Sequence, residues 1–282
     1  MPYRASCHTH TFRCQHASGD VSDYAAVARA GNCPILGVSD HAPTIDNRWH
    51  GWRMALGELD DYEAAVRLAR RNFPDLTILL GLECEWLPKF DGFLRDELLG
   101  RRGYDYLIGS CHITPVDGRE LSSFNGLLDA GALSAYAKLM IRTMESGLFA
   151  FIAHPDAFAA GYLNWDDDVA ACARDIATAA AGLGVALELN GYGIRKPAVI
   201  DDHGIRPAYP WRPFWEMAAA CGATVSLNSD AHRPEDTLAN YDDLEAIRVA
   251  CGLVEAPLLQ PRTCPSGQDP AGRDSGFRAG SV

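Results

Sequence analysis

The sequence has little of what marks several large classes of protein. It has no run of about 20 uninterrupted apolar residues, and its first residues lack a basic region followed by an apolar run. Its nine cysteines form no Cys-x-x-Cys pair. Basic residues are in deficit, with a formal net charge of −12, whereas surfaces that follow a nucleic-acid backbone are basic. We therefore expect a cytoplasmic protein with reduced thiols and neither a nucleic-acid nor a membrane partner; its oligomeric state stays open.

The length of the chain allows one large domain. Its 282 residues are 48% hydrophobic, enough for a substantial core. A single α/β barrel commonly occupies about 250 residues. We expect residues 1–256 to form one barrel. Residues 257–282 are rich in Pro, Gly, Ser and charge, which predicts a disordered tail.

Apolar runs typical of strands alternate with amphipathic patterns typical of helices. The predicted strands cover residues 3–10, 34–38, 76–82, 104–110, 148–153, 184–189 and 223–227. The predicted helices cover residues 21–31, 57–72, 130–146, 167–182, 213–222 and 234–251. This alternation indicates a parallel sheet, and about seven units with polar residues at the strand ends indicate a closed α/β barrel.

Histidines concentrate at the ends of the predicted strands. Seven of the nine lie there, where a barrel places its active site: His8, His10, His16, His41, His112, His154 and His232. Glu83 and Asp230 join them. His8 and His10, like Asp230 and His232, are two residues apart, so each pair shares one face of an extended segment.

Imidazole and carboxylate are common transition-metal ligands, and nine exceed what one ion uses. The pattern therefore predicts two or three divalent ions. A first-strand pair that is merely solvated or hydrogen-bonded is the other interpretation. His50 and His203 fall outside the pattern, and each is more typical of a solvated loop histidine. Cys7, Cys84 and Cys111 adjoin the predicted ligands and should face away from the ions, into the core.

These motifs resemble the polymerase and histidinol phosphatase (PHP) superfamily over about residues 3–235. The resemblance rests on His8-Thr-His10, His16, Asp40-His41, Gly81-Leu-Glu83, His112, His154-Pro155 and Asp230-Ala-His232. It implies a distorted (β/α)7 barrel with three Zn, Fe or Mn ions. The implied ligand sets are His8, His10, Glu83 and Asp230 for one ion; Glu83, His112 and His154 for the second; His16, His41 and His232 for the third. Asp40 would orient a ligand.

Within that superfamily the chain resembles the histidinol-phosphatase branch. The matching segments are Glu188-Leu-Asn190, Gly193-Ile-Arg195-Lys196, Tyr209-Pro210 and Ser229-Asp-Ala-His232. The implied reaction is hydrolysis of a small phosphomonoester by a hydroxide that bridges two ions, with L-histidinol phosphate as the first substrate to consider.

Several residues have predicted roles in that reaction. Glu83 and Asp230 would hold the reacting ions, and the planar guanidinium of Arg195 would stabilise charge on the phosphate, with Lys196 as a weaker neighbour. Asn190 and Glu85 are further candidates for substrate contact, and a structural hydrogen bond is the alternative for Glu85. Segments 47–53 and 113–126 depart from the branch and should face the leaving group.

Competing functions remain open at this point. A metal-dependent amidohydrolase also places His-x-His after a first strand, but it typically uses a carbamylated lysine where this chain has Glu83. An inactive PHP module serving as a binding domain is opposed by the complete ligand set. A phosphoesterase for a nucleotide, sugar phosphate or cyclic phosphodiester would keep the mechanism and change the substrate.

Overall fold

The structure is a computed structural model that describes residues 4–262. In chain order its strands are β1 (Ile35–Val38), β2 (Thr77–Glu85), β3 (Tyr106–Ser110), β4 (Ile113–Val116), β5 (Arg119–Ser122), β6 (Phe151–Ile152), β7 (Ala186–Asn190), β8 (Val199–Asp201), β9 (Gly204–Arg206), β10 (Thr224–Asn228) and β11 (Val254–Glu255). Seven of these described strands form one parallel sheet in the order β1-β2-β3-β6-β7-β10-β11. The pairs β4–β5 and β8–β9 are separate antiparallel hairpins.

Helices cover the outside of this sheet. They are α1 (Val21–Ala30), α2 (Leu59–Asn72), α3 (Ala130–Glu145), α4 (Asp167–Leu183), α5 (Tyr192–Arg195), α6 (Arg212–Ala220) and α7 (Tyr241–Cys251), with a π-helix at Phe93–Arg101. Short 3-10 helices lie at Phe12–Cys14, His50–Trp52, Leu56–Glu58, Pro88–Phe90, Ala157–Ala160 and Pro234–Asp236. Within residues 4–262, none of these helices is long and apolar enough to cross a membrane.

Local sequence explains where the helices begin and end. Asp20 caps α1 and forms a reciprocal capping box with Asp23. Gly184 follows α4 at φ 67°, a left-handed conformation that favours glycine and stops the helix. Residues 234–251 were predicted as one helix, but the structure divides them into a 3-10 helix and α7. Asn240, at φ 62°, interrupts the helical path between the two.

The N-terminal segment closes the sheet into a barrel. Ser6 exchanges backbone hydrogen bonds with β1, donating to Ile35 at 3.0 Å and accepting from Gly37 at 2.8 Å. Farther along, His10 donates to the carbonyl of Ala231 at 2.8 Å, and Ala231 donates to His8. These contacts confirm the predicted distorted α/β barrel. The predicted strand at 3–10 is wrong as a continuous element, since only isolated bridges at Ser6 and Thr9 join it to its neighbours.

The barrel interior is filled below the site by a small apolar cluster. Tyr106 lies across it, and its hydroxyl donates to the carbonyl of Cys7 at 2.9 Å. Glycine is required at position 81, because a Cβ there would lie 2.4 Å from the Tyr106 ring. Leu79, Gly81 and Glu83 are each two residues apart on β2 and therefore share one face of the strand. The face that packs on Tyr106 thus also directs Glu83 toward the barrel axis.

Two further sequence predictions can be located in the fold. Cys7, Cys84 and Cys111 are buried in the hydrophobic clusters. Of the predicted tail, residues 257–262 are described, and there Leu259 packs on the interior cluster while the backbone N–H of Arg262 donates to Asp105 at 3.1 Å. The rest of that tail lies outside the described residues, so its predicted disorder stays a prediction.

Candidate metal and active site

All nine predicted ligands converge at the carboxyl end of the sheet. They come from different elements because parallel strands deliver their last residues to the same edge. The N-terminal segment carries His8 and His10, and Glu83 lies within β2, near its end. The others follow the first 3-10 helix, β1, β3, β6 and β10: His16, His41, His112, His154, Asp230 and His232.

One group of ligand atoms surrounds the Asp230 carboxylate. Its Oδ1 lies 3.1 Å from Nε2 of His10 and 3.6 Å from Nε2 of His8. Ligand atoms of these three buried residues lie within 4.8 Å of one another. The spacing suits one cation in their midst.

Glu83 lies between two sets of imidazoles. Its Oε2 is 2.8 Å from Nδ1 of His41 and 3.4 Å from Nε2 of His8. Its Oε1 is 3.1 Å from Nε2 of His154 and 3.4 Å from Nε2 of His112. A carboxylate whose two oxygens face different ligand sets has the geometry to bridge two ions.

The remaining histidines form a third group at the edge of the cluster. The Nε2 atoms of His16 and His232 are 3.1 Å apart, and the ring centroids of His16 and His41 are 5.2 Å apart. His10 also approaches this group, since its ligand atoms lie within 4.8 Å of those of His41 and His232. The structure thus brings the third predicted set together and places His10 between two groups.

The chemistry of the donor atoms fits bound cations. Seven buried atoms in the cluster make no hydrogen bond to the described residues: Nε2 of His8, both ring nitrogens of His10, Nδ1 of His41, Oε2 of Glu83, Nδ1 of His154 and Oδ1 of Asp230. An unsatisfied buried polar atom costs about 1–3 kcal/mol. A neutral imidazole has one lone pair, so an ion could use one ring nitrogen of each histidine. Cations bound at the two carboxylates and at one nitrogen of each ring would satisfy most of these atoms.

The electrostatics of the cluster prepare several groups for this role. Burial raises the pKa of Glu83, but interaction with the surrounding imidazoles, first among them His112, outweighs it and holds the pKa well below its ordinary value. The Glu83 carboxylate is therefore ionised. Burial, reinforced by repulsion from His10, lowers the pKa of His41 and that of His232 well below the ordinary value. Neutral imidazoles keep a free lone pair for a metal ion.

Glu188 supports the cluster from β7, and the sequence prediction did not give it a site role. Its Oε1 lies 2.7 Å from Nδ1 of His8, and its Oε2 accepts from the backbone N–H of His154 at 3.0 Å and from the amide of Asn190 at 2.7 Å. A carboxylate on the outer ring nitrogen orients a metal-binding imidazole. The available signal was its spacing of two from Asn190, which places both side chains on one strand face.

Asn190 and Glu85, both predicted to contact substrate, are engaged elsewhere. The amide of Asn190 also donates to Asp230 at 3.0 Å. Oε1 of Glu85 lies 2.6 Å from Nδ1 of His112 and accepts from Nη2 of Arg53 at 2.8 Å. Neither residue is among those that line the cavity, and each is hydrogen-bonded to a predicted ligand, a position from which it could orient that ligand. The contacts of Glu85 match the structural hydrogen bond that was the alternative to a substrate contact.

Asp40 has the orienting position expected of it. It accepts hydrogen bonds from the backbone N–H of Thr11 at 3.1 Å and from the Thr11 hydroxyl. Its Oδ1 lies 3.6 Å from Nδ1 of His10. His50 and His203 are exposed and are not among the residues lining the cavity.

The side chains of Arg195 and Lys196 have different surroundings. The guanidinium of Arg195 donates to the carbonyls of Ser229 at 2.7 Å and Asp230 at 3.1 Å, and to Oδ1 of Asn240 at 2.9 Å. It therefore holds the loop that carries Asp230, and it borders a second cavity of about 560 Å³. Lys196 lines the cavity above the ligands, with its ammonium 4.3 Å from the Tyr192 ring centroid. Arg195 is not among the residues that line this cavity, so its predicted contact with phosphate stays a prediction.

That cavity, of about 310 Å³, has an aromatic outer wall. Trp52 comes from segment 47–53, and Ile113, Ser122 and Phe124 come from segment 113–126. Both departing segments therefore face the cavity, as their sequences predicted. The wall is completed by Tyr192, Lys196 and Tyr209.

The family model described as "PHP domain" matches residues 6–191. A protein of Deinococcus radiodurans named "Probable histidinol-phosphatase" is 33% identical over 246 residues, covering 84% of this chain and 89% of that protein.

Two solved structures share the fold. One, from Listeria monocytogenes, has a TM-score of 0.70 at 20% identity, covering 85% of this chain and 99% of that one. The other is the histidinol phosphate phosphatase of Lactococcus lactis in complex with zinc, L-histidinol and phosphate. It has a TM-score of 0.69 at 15% identity and covers 89% of this chain and 95% of that one.

Proposed function

Since this chain belongs to the PHP domain family, we propose that it is a metal-dependent phosphatase whose substrate is a small phosphomonoester, with L-histidinol phosphate as the first candidate. One observation carries the proposal: seven imidazoles and two carboxylates converge beneath a cavity large enough for a small phosphate ester, and seven of their buried polar atoms make no hydrogen bond to the described residues. The relative from Deinococcus radiodurans supports the choice of first substrate. A cytoplasmic location belongs to the same proposal.

The ligand residues would hold two to three Zn, Fe or Mn ions in the three sets described above. Bound divalent ions supply Lewis-acid stabilisation of phosphate charge and activation of water. The residues around them keep the donors oriented: Glu188 acts on His8, Glu85 on His112 and Asp40 on His10.

Lys196 is the cation of this chain best placed for the phosphate. Its side chain lines the cavity beside Asp230, and its ammonium is 5.3 Å from the Phe124 ring centroid. An ammonium held against aromatic faces can turn toward a dianion without first losing a carboxylate partner. Trp52 and Phe124 would contact the alcohol and exclude water from around the ester.

The composition of the wall favours a second candidate substrate. Among the described lining residues the carboxylates are Glu83 and Asp230, both in the ligand cluster. The ammonium group of histidinol would therefore lie near that of Lys196, without a lining carboxylate outside the ligand cluster to offset the repulsion. The uncharged planar base of a nucleotide would stack on this wall and would bring no second positive charge beside Lys196.

A substrate panel tests the proposal. Metal-loaded protein is assayed with L-histidinol phosphate, nucleoside monophosphates, sugar phosphates, a cyclic phosphodiester and amides. We expect release of inorganic phosphate from at least one monoester, abolished by Glu83→Gln and unchanged by Glu216→Gln, which alters an exposed glutamate on α6. Turnover of amides alone would identify an amidohydrolase, and no turnover by metal-loaded protein would favour an inactive binding module.

A further inference from the structure

Tyr209, a residue of the cavity wall, carries an unexplained buried hydroxyl. The Tyr209 side chain is fully buried, yet its hydroxyl makes no hydrogen bond to any described residue. Tyr209 nevertheless lines the cavity above the ligand cluster. A buried hydroxyl without a partner costs about 1–3 kcal/mol, which a bound molecule would offset.

The ring of Tyr209 is held in place by its neighbours. Gly193 packs so closely that a Cβ there would lie 2.2 Å from Cδ2 of Tyr209 and 2.3 Å from its carbonyl oxygen. Only a residue without a side chain fits between the short helix α5 and this ring. The ring therefore cannot move toward the α5 backbone, which restricts the position of its hydroxyl oxygen.

Tyr209 also lies at the junction of the two halves of the cavity. Its ring centroid is 6.1 Å from that of the ligand residue His154 and 6.1 Å from that of Phe124 in the aromatic wall. In the proposed reaction the phosphate lies at the ligand cluster and the alcohol lies against the aromatic wall. The ester oxygen joins the two, so it passes this junction.

We propose that the Tyr209 hydroxyl donates a hydrogen bond to the ester oxygen of the bound phosphomonoester as that oxygen departs. This inference rests on the proposed function and adds a catalytic residue to it. Water forms the new bond to phosphorus, the P–O bond to the alcohol breaks, and its electron pair stays on the departing oxygen. The hydrogen bond from Tyr209 stabilises that negative charge. The proton that the alcohol finally acquires is the one lost by the attacking water, so Tyr209 ends the reaction unchanged.

The test compares leaving groups that need this stabilisation to different degrees. Wild type, Tyr209→Phe and Tyr104→Phe are assayed with an alkyl phosphate and with p-nitrophenyl phosphate, whose leaving group is already a weak base. Tyr104 is the matched control, since its hydroxyl is also buried without a hydrogen bond to the described residues and it is not among those lining the cavity. We expect Tyr209→Phe to lower kcat/KM about 10²-fold for the alkyl ester and about 3-fold or less for the aryl ester. Tyr104→Phe should leave both substrates within about 2-fold.

Other outcomes overturn the inference. Equal losses with both esters would mean that Tyr209 acts on the phosphate or on the fold, and no loss would mean that it does not act in the reaction. Should Tyr209→Phe fail to fold, 3-fluorotyrosine at position 209 keeps the shape while making the phenol a stronger donor, and must change turnover of the alkyl ester more than that of the aryl ester. The alkyl ester is one that the substrate panel has shown to be hydrolysed by wild type, so a failure of the proposed function is seen in the panel and is distinguished from a failure of this inference.

Discussion

Glu188→Gln tests whether the orientation of the metal ligands matters, because it changes a residue that contacts a ligand and is not itself a predicted ligand. Glu188 is fully buried and is not among the residues that line the cavity above the ligands, so we expect its replacement to leave substrate contacts unchanged. Its two oxygens face three groups: Nδ1 of His8, the backbone N–H of His154 and the amide of Asn190. A glutamine has one acceptor oxygen, and its NH2 group would face at least one of these donors.

The expected magnitude follows from that geometry. Losing one charge-assisted hydrogen bond costs about 1.5–3 kcal/mol, or roughly 10- to 100-fold in an equilibrium constant. Replacing an outer partner of a metal-binding histidine typically costs about 10–100-fold in metal affinity or activity. Because Glu188 acts on His8, we expect the loss to appear in metal affinity, with a fall in kcat at subsaturating metal that excess metal partly restores.

The assay is a zinc titration against a competing chelator, followed by kcat and KM at fixed metal. Glu216→Gln is the control, because it makes the same change on the exposed face of α6. Unchanged zinc affinity in Glu188→Gln would refute the reasoning that this carboxylate orients His8. A large increase in KM at saturating metal would instead place Glu188 in contact with substrate.

Three further outcomes are expected. Glu83→Gln should lower kcat by about 10³-fold or more and Glu85→Gln by about 10–100-fold, because, of these two carboxylates, Glu83 has oxygens that face two ligand sets. Steady-state kinetics measure both variants, and the opposite order would mean that the bridging carboxylate is misassigned. Lys196→Ala should raise KM for phosphate esters about 10–100-fold, whereas Arg195→Ala should chiefly weaken zinc binding by loosening the Asp230 loop. KM measurements and zinc titrations compare the two variants, and a larger rise in KM for Arg195→Ala would mean that Arg195 binds the phosphate. Chelation of the ions should lower Tm by about 5 °C or more, since ligand at 100 times Kd stabilises the folded state by about 2.7 kcal/mol; differential scanning calorimetry checks this, and an unchanged Tm would contradict a cluster of bound ions.

The sequence by itself determined which side chains form the cluster and at which edge of the fold they lie. Most of the predicted ligands lie at or just beyond the end of a predicted strand, and the spacing of two between His8 and His10 sets a common face within a single segment. Such features depend on neighbours in the chain, so local pattern is enough to predict them. The direction of the parallel strands then brings their ends to one edge.

Only the tertiary structure decided what the polar residues around the cluster do. Glu188 meets His8 across 180 positions of sequence, and Arg195 meets the Asp230 carbonyl across 35. Whether an arginine binds phosphate or backbone carbonyls depends on which acceptor the folded chain brings within about 3 Å, and no local pattern contains that information. The same holds for Tyr209, whose significance lies in the absence of a partner among the described residues, a property that exists only once the chain is folded around it.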